Sequence, residues 1–426
     1  MNRVKKKILY YVSVRFVSPV SVSSGDGEQT DGDVLRDFDR TPFIAGSSLA
    51  GAMRAWLGPE EKDDNLFGYS NGEESGKMSR IFVSDLRFAG AVNIVTRDGV
   101  GLTEKKTALT GAKYDMEAID SGAEGYFVLE LVVREQDDEN WIWQQLGQVL
   151  YGLQNREIRL GCKKTRGYGE LEITAIRKRE YTKENILEYR NAYEIEKALR
   201  ELPDCREELL AQEKACSRYV RIEVPLRLRG GISIRQYAAK KGEPDFVHIT
   251  ANGRPVIPGT SFAGAIRSRM KELIEELGLT ENADQKEQII RSIFGYVDGA
   301  EAHRSNLVIG ESVIEGATEL TVARTAVSRF ESAAKKGSLY KEKTYVGGTL
   351  TLRIEISKDI GTEWVVGLLL PVLKDLQKGY LPVGGQTSIG RGLLEENGPI
   401  KIDGKDAEEA VYFRNFPSKL EEGMVC

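Results

Sequence analysis

Histidine is almost missing from this chain: His248 and His303 are the two among 426 residues. So small a supply weighs against acid–base catalysis by a histidine pair. The four cysteines, Cys162, Cys205, Cys216 and Cys426, fall at spacings that match no zinc pattern and suit free thiols in a reducing cytoplasm. No stretch approaches the roughly 20 apolar residues of a membrane span, so no membrane partner is expected. The start, Met1-Asn-Arg-Val-Lys-Lys-Lys, runs into an alternating YYVSVRFVSPVSVSS, which reads as a strand and forms no signal-peptide core. Phosphate loop, dinucleotide fingerprint, metalloprotease helix and nucleophile elbow are all missing. Positive charge is also short: a formal net charge of −5 excludes a protein that coats nucleic acid by global charge alone. What is left is a globular protein, 41% hydrophobic and 29% charged, able to fill two ordinary cores.

Against these absences stands a repetition. The segment beginning Arg40-Thr-Pro-Phe-Ile-Ala-Gly46-Ser-Ser is answered by Arg254-Pro-Val-Ile-Pro-Gly259-Thr-Ser, an offset of 213 residues between the glycines. Asn65-Leu-Phe-Gly-Tyr69 is answered by Ser292-Ile-Phe-Gly-Tyr296, and Leu160-Gly-x5-Gly-x-Gly169 by Val383-Gly-x5-Gly-x-Gly392. Three blocks in the same order at so long a period make two complete domains, since solenoid repeats run only about 20–50 residues. The expected division is a first domain over residues 1–178, a helical connector over 179–216, a second domain over 217–400 and a tail over 401–426.

Each copy opens on a strand, residues 9–21 and 219–228, and passes through a Gly- and Asp-rich loop into a helix. Ser47 and Ser48, like Thr260 and Ser261, stand where a helix N-cap belongs, with Leu49, Met53 and Trp56 or Phe262, Ile266 and Met270 at helical spacing behind them. A helix start with free N–H groups suits a phosphate. Arg54 and Arg267 follow one helical face on. Residues 80–86, 306–312, 126–133 and 349–356 read as buried strands, and 141–153 and 365–376 as helices. The pattern fits an α+β chain of two tandem ferredoxin-like β-α-β-β-α-β units. Local basic runs at residues 156–166 and 221–235 offer the places where nucleic acid could meet an acidic protein. Lys163, Lys164 and Arg166 lie in the first glycine-rich block, and Gln386, Thr387 and Arg391 in the second.

Taken in order, the Gly-rich loop, the Gly-(Ser/Thr)-Ser helix start, the Leu/Ile-Phe-Gly segment and the terminal glycine block resemble the repeat-associated mysterious protein (RAMP) superfamily. The likeness is to the Csm-type backbone subunits of type III CRISPR effectors, and the tandem fusion resembles the double-backbone subunits of type III-D complexes. That resemblance implies two domains with RNA-recognition-motif-like cores and thumb hairpins, here residues 100–126 and 322–348, that grip guide RNA and displace nucleotides at intervals. It also implies partners: the CRISPR guide RNA, complementary target RNA, other backbone subunits, a large polymerase-like subunit and small subunits. Ser47, Ser48, Arg54, Lys163, Lys164, Arg166, Thr260, Ser261, Arg267, Gln386, Thr387 and Arg391 become the expected RNA contacts.

The resemblance further implies an endoribonuclease whose aspartate sits six residues before a second acid, with Mg2+ or Mn2+ as cofactor. Thr30-Asp31-Gly-Asp-Val-Leu-Arg-Asp37 carries the pattern, so Asp31 takes the catalytic and metal-holding position. Pro244-Asp245-Phe-Val-His-Ile-Thr-Ala251 places Asp245 at the same point, with Ala251 in place of the downstream acid. From the residues alone, Asp26, Asp31, Asp33, Asp37 and Asp39 also read as turn formers, which Asp and Gly favour. His248 reads as an assistant to Asp245 or as an ordinary packed residue. The alternative to a metal-dependent ribonuclease that uses the RNA 2′-hydroxyl is a guide-holding scaffold or cap subunit of the same complex.

Overall fold

Strand Val4–Phe16 alternates so that Ile8, Tyr10, Val12, Val14 and Phe16 fall on one face, and the helices Gly46–Leu57 and Glu139–Gln154 bury that face with Leu49, Met53, Ile142, Leu146 and Val149. The computed structural model describes residues 3–23, 25, 30–58, 66–71, 75–103, 107–189, 192–211, 217–237, 243–280, 282–299 and 301–412. Asp26, Asn65, Glu104-Lys-Lys106, Cys216 and Cys426 lie outside them. Contacts divide the chain into two units: residues 1–99, 113–164 and 168–217, and residues 100–112, 165–167 and 218–426.

In the first unit the sheet runs Leu171–Tyr181, Val4–Phe16, Glu124–Arg134, Leu86–Phe88, Phe43–Ile44, with Ile81–Val83 also on Glu124–Arg134. Every pairing is antiparallel. With one helix after the first strand and one after the third, the order is fourth, first, third, second, which is the ferredoxin-like arrangement. The second unit repeats it as Leu393–Glu396, Tyr219–Arg229, Thr349–Ser357, Leu307–Ile309, with helices Gly259–Glu276 and Thr362–Gln377. Its core gathers Ile222, Val224, Leu226, Phe262, Ile266, Met270, Val365, Leu368 and Leu369. Each such side chain contributes about 1.5–3 kcal/mol by leaving water.

The repeated glycines answer to backbone contacts. A Cβ on Gly46 would stand 2.4 Å from Val83 O, and one on Gly259 would stand 2.0 Å from Ile309 O, so each helix start packs directly on a strand. Gly169 and Gly392 both take positive φ, 76° and 75°, and a Cβ would come 1.9 Å from Leu160 O or Val383 O. The sequence repetition therefore records the same tight backbone crossings twice.

Hairpins Ile94–Leu102 with Ala108–Ile119 and Thr318–Arg324 with Tyr340–Val346 overlap the expected thumbs, the first starting six residues before residue 100 and ending ahead of core strand Glu124–Arg134, which the expected range had entered. Helix Ala283–Phe294 is an element that the sequence reading did not separate from its surroundings. Strand Leu171–Tyr181 runs through the expected boundary at residue 178, and Lys401–Ile402, in the expected tail, pairs with Ile222 and Glu223 of the second sheet. The connector holds helices Ala192–Arg200 and Arg206–Ala211. Leu199 is buried with Leu9, Tyr11 and Tyr181, on the sheet face away from the two domain helices. No helix among the described residues is long and apolar enough to cross a membrane.

Candidate nucleic-acid interface

Two loops converge on the second strand of each thumb. In the first unit Asp31 Oδ2 accepts the backbone N–H of Asp115 at 2.9 Å, while Asp31 N–H donates to Asp115 O at 3.1 Å and lies 3.3 Å from Asp115 Oδ1. Glu117 N–H donates to Gly32 O at 3.0 Å, so the loop continues alongside the strand. In the second unit Asp245 Oδ2 accepts the backbone N–H of Lys341 at 2.7 Å, and Phe246 and Val247 pair in parallel with Glu342 and Lys343. Asp31 and Asp245 occupy equivalent places, and both are exposed.

The neighbouring acids have other duties. Asp33 Oδ1 accepts both the N–H and the hydroxyl of Thr30, at 3.0 and 2.8 Å. Glu117 takes Arg36 through both oxygens, at 2.9 and 2.8 Å, and the N–H of Val34 at 3.0 Å. Asp37, the expected downstream acid, binds Arg87 at 2.6 Å, and this guanidinium together with the Phe38 N–H holds its carboxyl below the usual range. Asp39 accepts the Thr41 N–H at 2.9 Å within the same turn. Ala251, the counterpart of Asp37 in the second copy, is buried in the short strand Thr250–Ala251.

The opposite face of each thumb strand meets the glycine-rich block. Lys163, at φ 52°, lays its ammonium 3.7 Å from the Tyr114 ring centroid, and Met116, Ala118 and Tyr168 are buried together. In the second unit the positions of Met116 and Tyr168 are taken by Glu342 and Arg391. Glu342 is fully buried and bonds Arg235 at 2.8 Å, Gln386 at 3.1 Å, Arg391 at 3.3 Å and the Ser233 hydroxyl. Burial pushes its carboxyl up, but Arg235, Ser233 and Arg391 outweigh this and leave it below its ordinary value. Gln386 and Arg391 thus hold the loop to the thumb, and Arg391 is only 7% exposed.

The other expected contacts spread along both units. Ser47, Arg54 and Thr260 are exposed, and Ser48 and Ser261 are half-buried. None of the four hydroxyl residues caps its helix: Ala45 and Pro258 stand at the N-caps, without side-chain caps. Gly46 N–H donates to Asp85 Oδ1 at 2.8 Å, so a carboxylate already meets the first helix start, where a free phosphate site had been expected. Arg267 pairs with Glu287 at 3.4 Å. Lys164 and Arg166 form a single 3-10 turn with Thr165, and Thr387 opens the matching turn Thr387–Ile389.

The basic runs are largely neutralised inside their own domains. Arg156 pairs with Glu172 at 3.0 Å, Arg159 with Glu170 at 3.2 Å, Arg221 with Glu355 at 3.4 Å and Arg227 with Glu395 at 3.8 Å. RNA-recognition motifs stack bases on the open sheet face. In the first unit that face carries Tyr11 stacked on Tyr126 at 5.1 Å, with Arg200 of the connector 4.4 Å from the Tyr126 ring centroid. The connector covers that face.

His248 is buried. Its Nδ1 accepts from Ile234 N–H at 3.1 Å and its Nε2 donates to Val256 O at 2.9 Å, while burial pushes its pKa down to about 4. It is a neutral packing residue that helps set the loop carrying Asp245.

Oxygen donors suit the hard divalent cation that the resemblance implies, and Mg2+ commonly uses one or two carboxylates with water and phosphate completing its shell. Asp31 can offer one carboxylate, with Asp115 beside it through backbone pairing. Asp245 offers one carboxylate beside Lys341. Among the described residues no three His, Cys, Asp or Glu side chains converge.

The family profile of the RAMP superfamily matches residues 13–172 and again residues 221–395. Among individually curated proteins none matches the chain. The two matched regions coincide with the two ferredoxin-like units and together span most of the chain, which belongs to the RAMP superfamily as a tandem pair of its domains.

Proposed function

We propose that this chain is a guide-RNA-binding backbone subunit of a type III CRISPR effector and cuts complementary target RNA at two positions, through Asp31 and Asp245. The observation that carries the reading is the duplicated placement of one exposed aspartate against the base of each thumb. The guide would lie along the thumb edges, held by phosphate contacts that position RNA without reading its sequence. Lys164, Arg54, Ser47 and Thr260 are the exposed candidates. Phe330, 97% exposed in the second thumb, is the side chain most available to wedge between bases.

Cleavage requires the 2′-hydroxyl to lose its proton, the phosphate charge to be met and the nucleotide to turn toward in-line attack. Each aspartate can accept the hydroxyl proton or orient a water at the same point. A bound Mg2+ or Mn2+ would supply charge neutralisation at the phosphate. The thumb supplies the turn, and positioning of this kind is worth several kcal/mol. The product ends would be 2′,3′-cyclic phosphates. Expected neighbours are further backbone subunits, the large polymerase-like subunit and small subunits, in a type III-D arrangement in the cytoplasm.

Photo-crosslinking of guide RNA in the assembled complex tests the placement. Crosslinks from the thumb residues to mid-guide positions are expected; crosslinks confined to the 5′ handle would make the chain a cap subunit.

A further inference from the structure

The strand that follows Asp245 is fastened to the thumb from its reverse side. Phe246, next in the chain, pairs with Glu342, and Tyr340 directly precedes Lys341, whose N–H Asp245 accepts at 2.7 Å. The Phe246 and Tyr340 rings meet edge to face at 5.9 Å. Over both lies the Arg235 guanidinium, 4.8 Å from the Phe246 ring centroid and 5.4 Å from that of Tyr340. Arg235 Nε donates to Glu342 Oε1 at 2.8 Å, and Glu342 is fully buried. A carboxylate out of water holds its cation firmly, because removing either partner leaves an uncompensated charge. The planar guanidinium, anchored in this way, spans the loop strand and the thumb strand at once.

The first copy is built differently at this point. Ser23 stands opposite Val34 as Arg235 stands opposite His248, and Leu35 N–H donates to Val22 O as Ile249 N–H donates to Ile234 O, both at 3.0 Å. Ser23 therefore occupies the place of Arg235, and its hydroxyl oxygen accepts the Gly25 N–H at 3.0 Å within a turn. By the same register Gly32 replaces Phe246 and Met116 replaces Glu342. The tyrosine is kept, as Tyr114, but its cation is Lys163 of the glycine-rich block, 3.7 Å from the ring centroid. The first loop is laced to its thumb by backbone instead, through Asp31 N–H to Asp115 O and Glu117 N–H to Gly32 O.

We propose that Arg235 is a positioning residue of the second site: it locks the Asp245 loop to the thumb through Phe246, Tyr340 and Glu342, and the first site works without such a pin. This rests on the reading that Asp245 acts on RNA at the thumb, and it adds what keeps that aspartate in place. Arg235 bonds Glu342 rather than Asp245, so its influence passes through the backbone of the two strands. A misplacement of about 1 Å can cost roughly 10²-fold in rate, enough to separate the two cuts of one chain.

Hydrogen exchange in the full chain without RNA, read residue by residue by mass spectrometry, tests the lock. Arg235→Ala should speed exchange of the Lys341 amide roughly tenfold, the scale of one hydrogen bond, and leave the Asp115 amide and the central strand Tyr219–Arg229 as in wild type. Arg235→Lys keeps a cation beside Glu342, so the unit stays folded, but an ammonium does not replace a stacked guanidinium; the same amide should loosen. Wild-type exchange at Lys341 in Arg235→Lys, or faster exchange spread over the whole second unit in that variant, overturns the role. In the assembled complex, Arg235→Lys should slow turnover of the second cut roughly 10–100-fold while KM and the first cut stay unchanged. An unchanged second cut, equal loss of both cuts or a raised KM alone also overturns it. A wild-type complex that cuts no RNA under any condition would instead defeat the ribonuclease reading, and the exchange measurement would still decide whether Arg235 holds the loop.

Discussion

Asp245 accepts the backbone N–H of Lys341 at 2.7 Å across 96 residues of chain, and the same bond joins Asp31 to Asp115 in the first copy. A side chain that fastens a loop to the base of a hairpin stays fixed relative to whatever the hairpin displaces. That coupling makes an otherwise ordinary loop aspartate a candidate for in-line chemistry.

The buried Glu342 should be costly to remove. Glu342→Ala leaves Arg391 and Gln386 without their partner, and breaking a buried pair costs about 3–5 kcal/mol. Arg235 is partly exposed and can rehydrate, so the lower end is expected, about 3 kcal/mol by urea denaturation. Met116→Ala, at the apolar counterpart, should cost about 2–3 kcal/mol through cavity formation.

Acid should weaken the second unit through His248. Its folded pKa is about 4 against an ordinary 6.5, so as pH falls below 6.5 the unfolded chain takes up the proton first. Stability is therefore full above pH 6.5 and declines toward pH 4, by up to about 3 kcal/mol. Denaturation midpoints across that range should show a shallower acid slope in His248→Gln than in wild type.

Phe330→Ala should leave stability unchanged to within about 0.5 kcal/mol by urea denaturation, because the side chain is 97% exposed. In the assembled complex it should restore stacking of the nucleotide at that thumb, read as reduced fluorescence of a 2-aminopurine placed there. Equal fluorescence in both proteins removes Phe330 from the wedge.

Substituting Gly392 tests the repeat itself. Gly392→Ala meets Val383 O at an impossible distance and must also hold positive φ, and Gly169→Ala meets Leu160 O in the same way. Each should cost at least 1–3 kcal/mol, the scale of strained backbone positions, measured by thermal unfolding.

The fold was legible because its constraints are backbone constraints. Gly46, Gly169, Gly259 and Gly392 mark crossings that tolerate no Cβ, and alternation in Val4–Phe16 and Tyr219–Arg229 marks the central strands. The site was legible only in part. Asp31 and Asp245 carry a loop pattern, but Asp115 and Lys341 are far away in sequence and meet them only through hairpin register. Arg391 read as a phosphate ligand because nothing local reveals that Glu342 faces it. Ser47 and Thr260 read as caps by residue type, yet the N-caps, Ala45 and Pro258, stand two residues earlier, with Gly46 and Gly259 opening the helices against a strand. Leu9 and Tyr11 alternate like solvent-facing positions of a one-sided strand, and only the connector fold explains their burial.

Cleavage of a labelled RNA complementary to the guide, by assembled complexes carrying wild type, Asp31→Ala, Asp245→Ala or both, measures the central claim most directly. Each single variant should erase one of two product ends while RNA binding persists, and the double variant should erase both. Identical products from all four proteins would contradict the account and leave the chain a guide-holding scaffold.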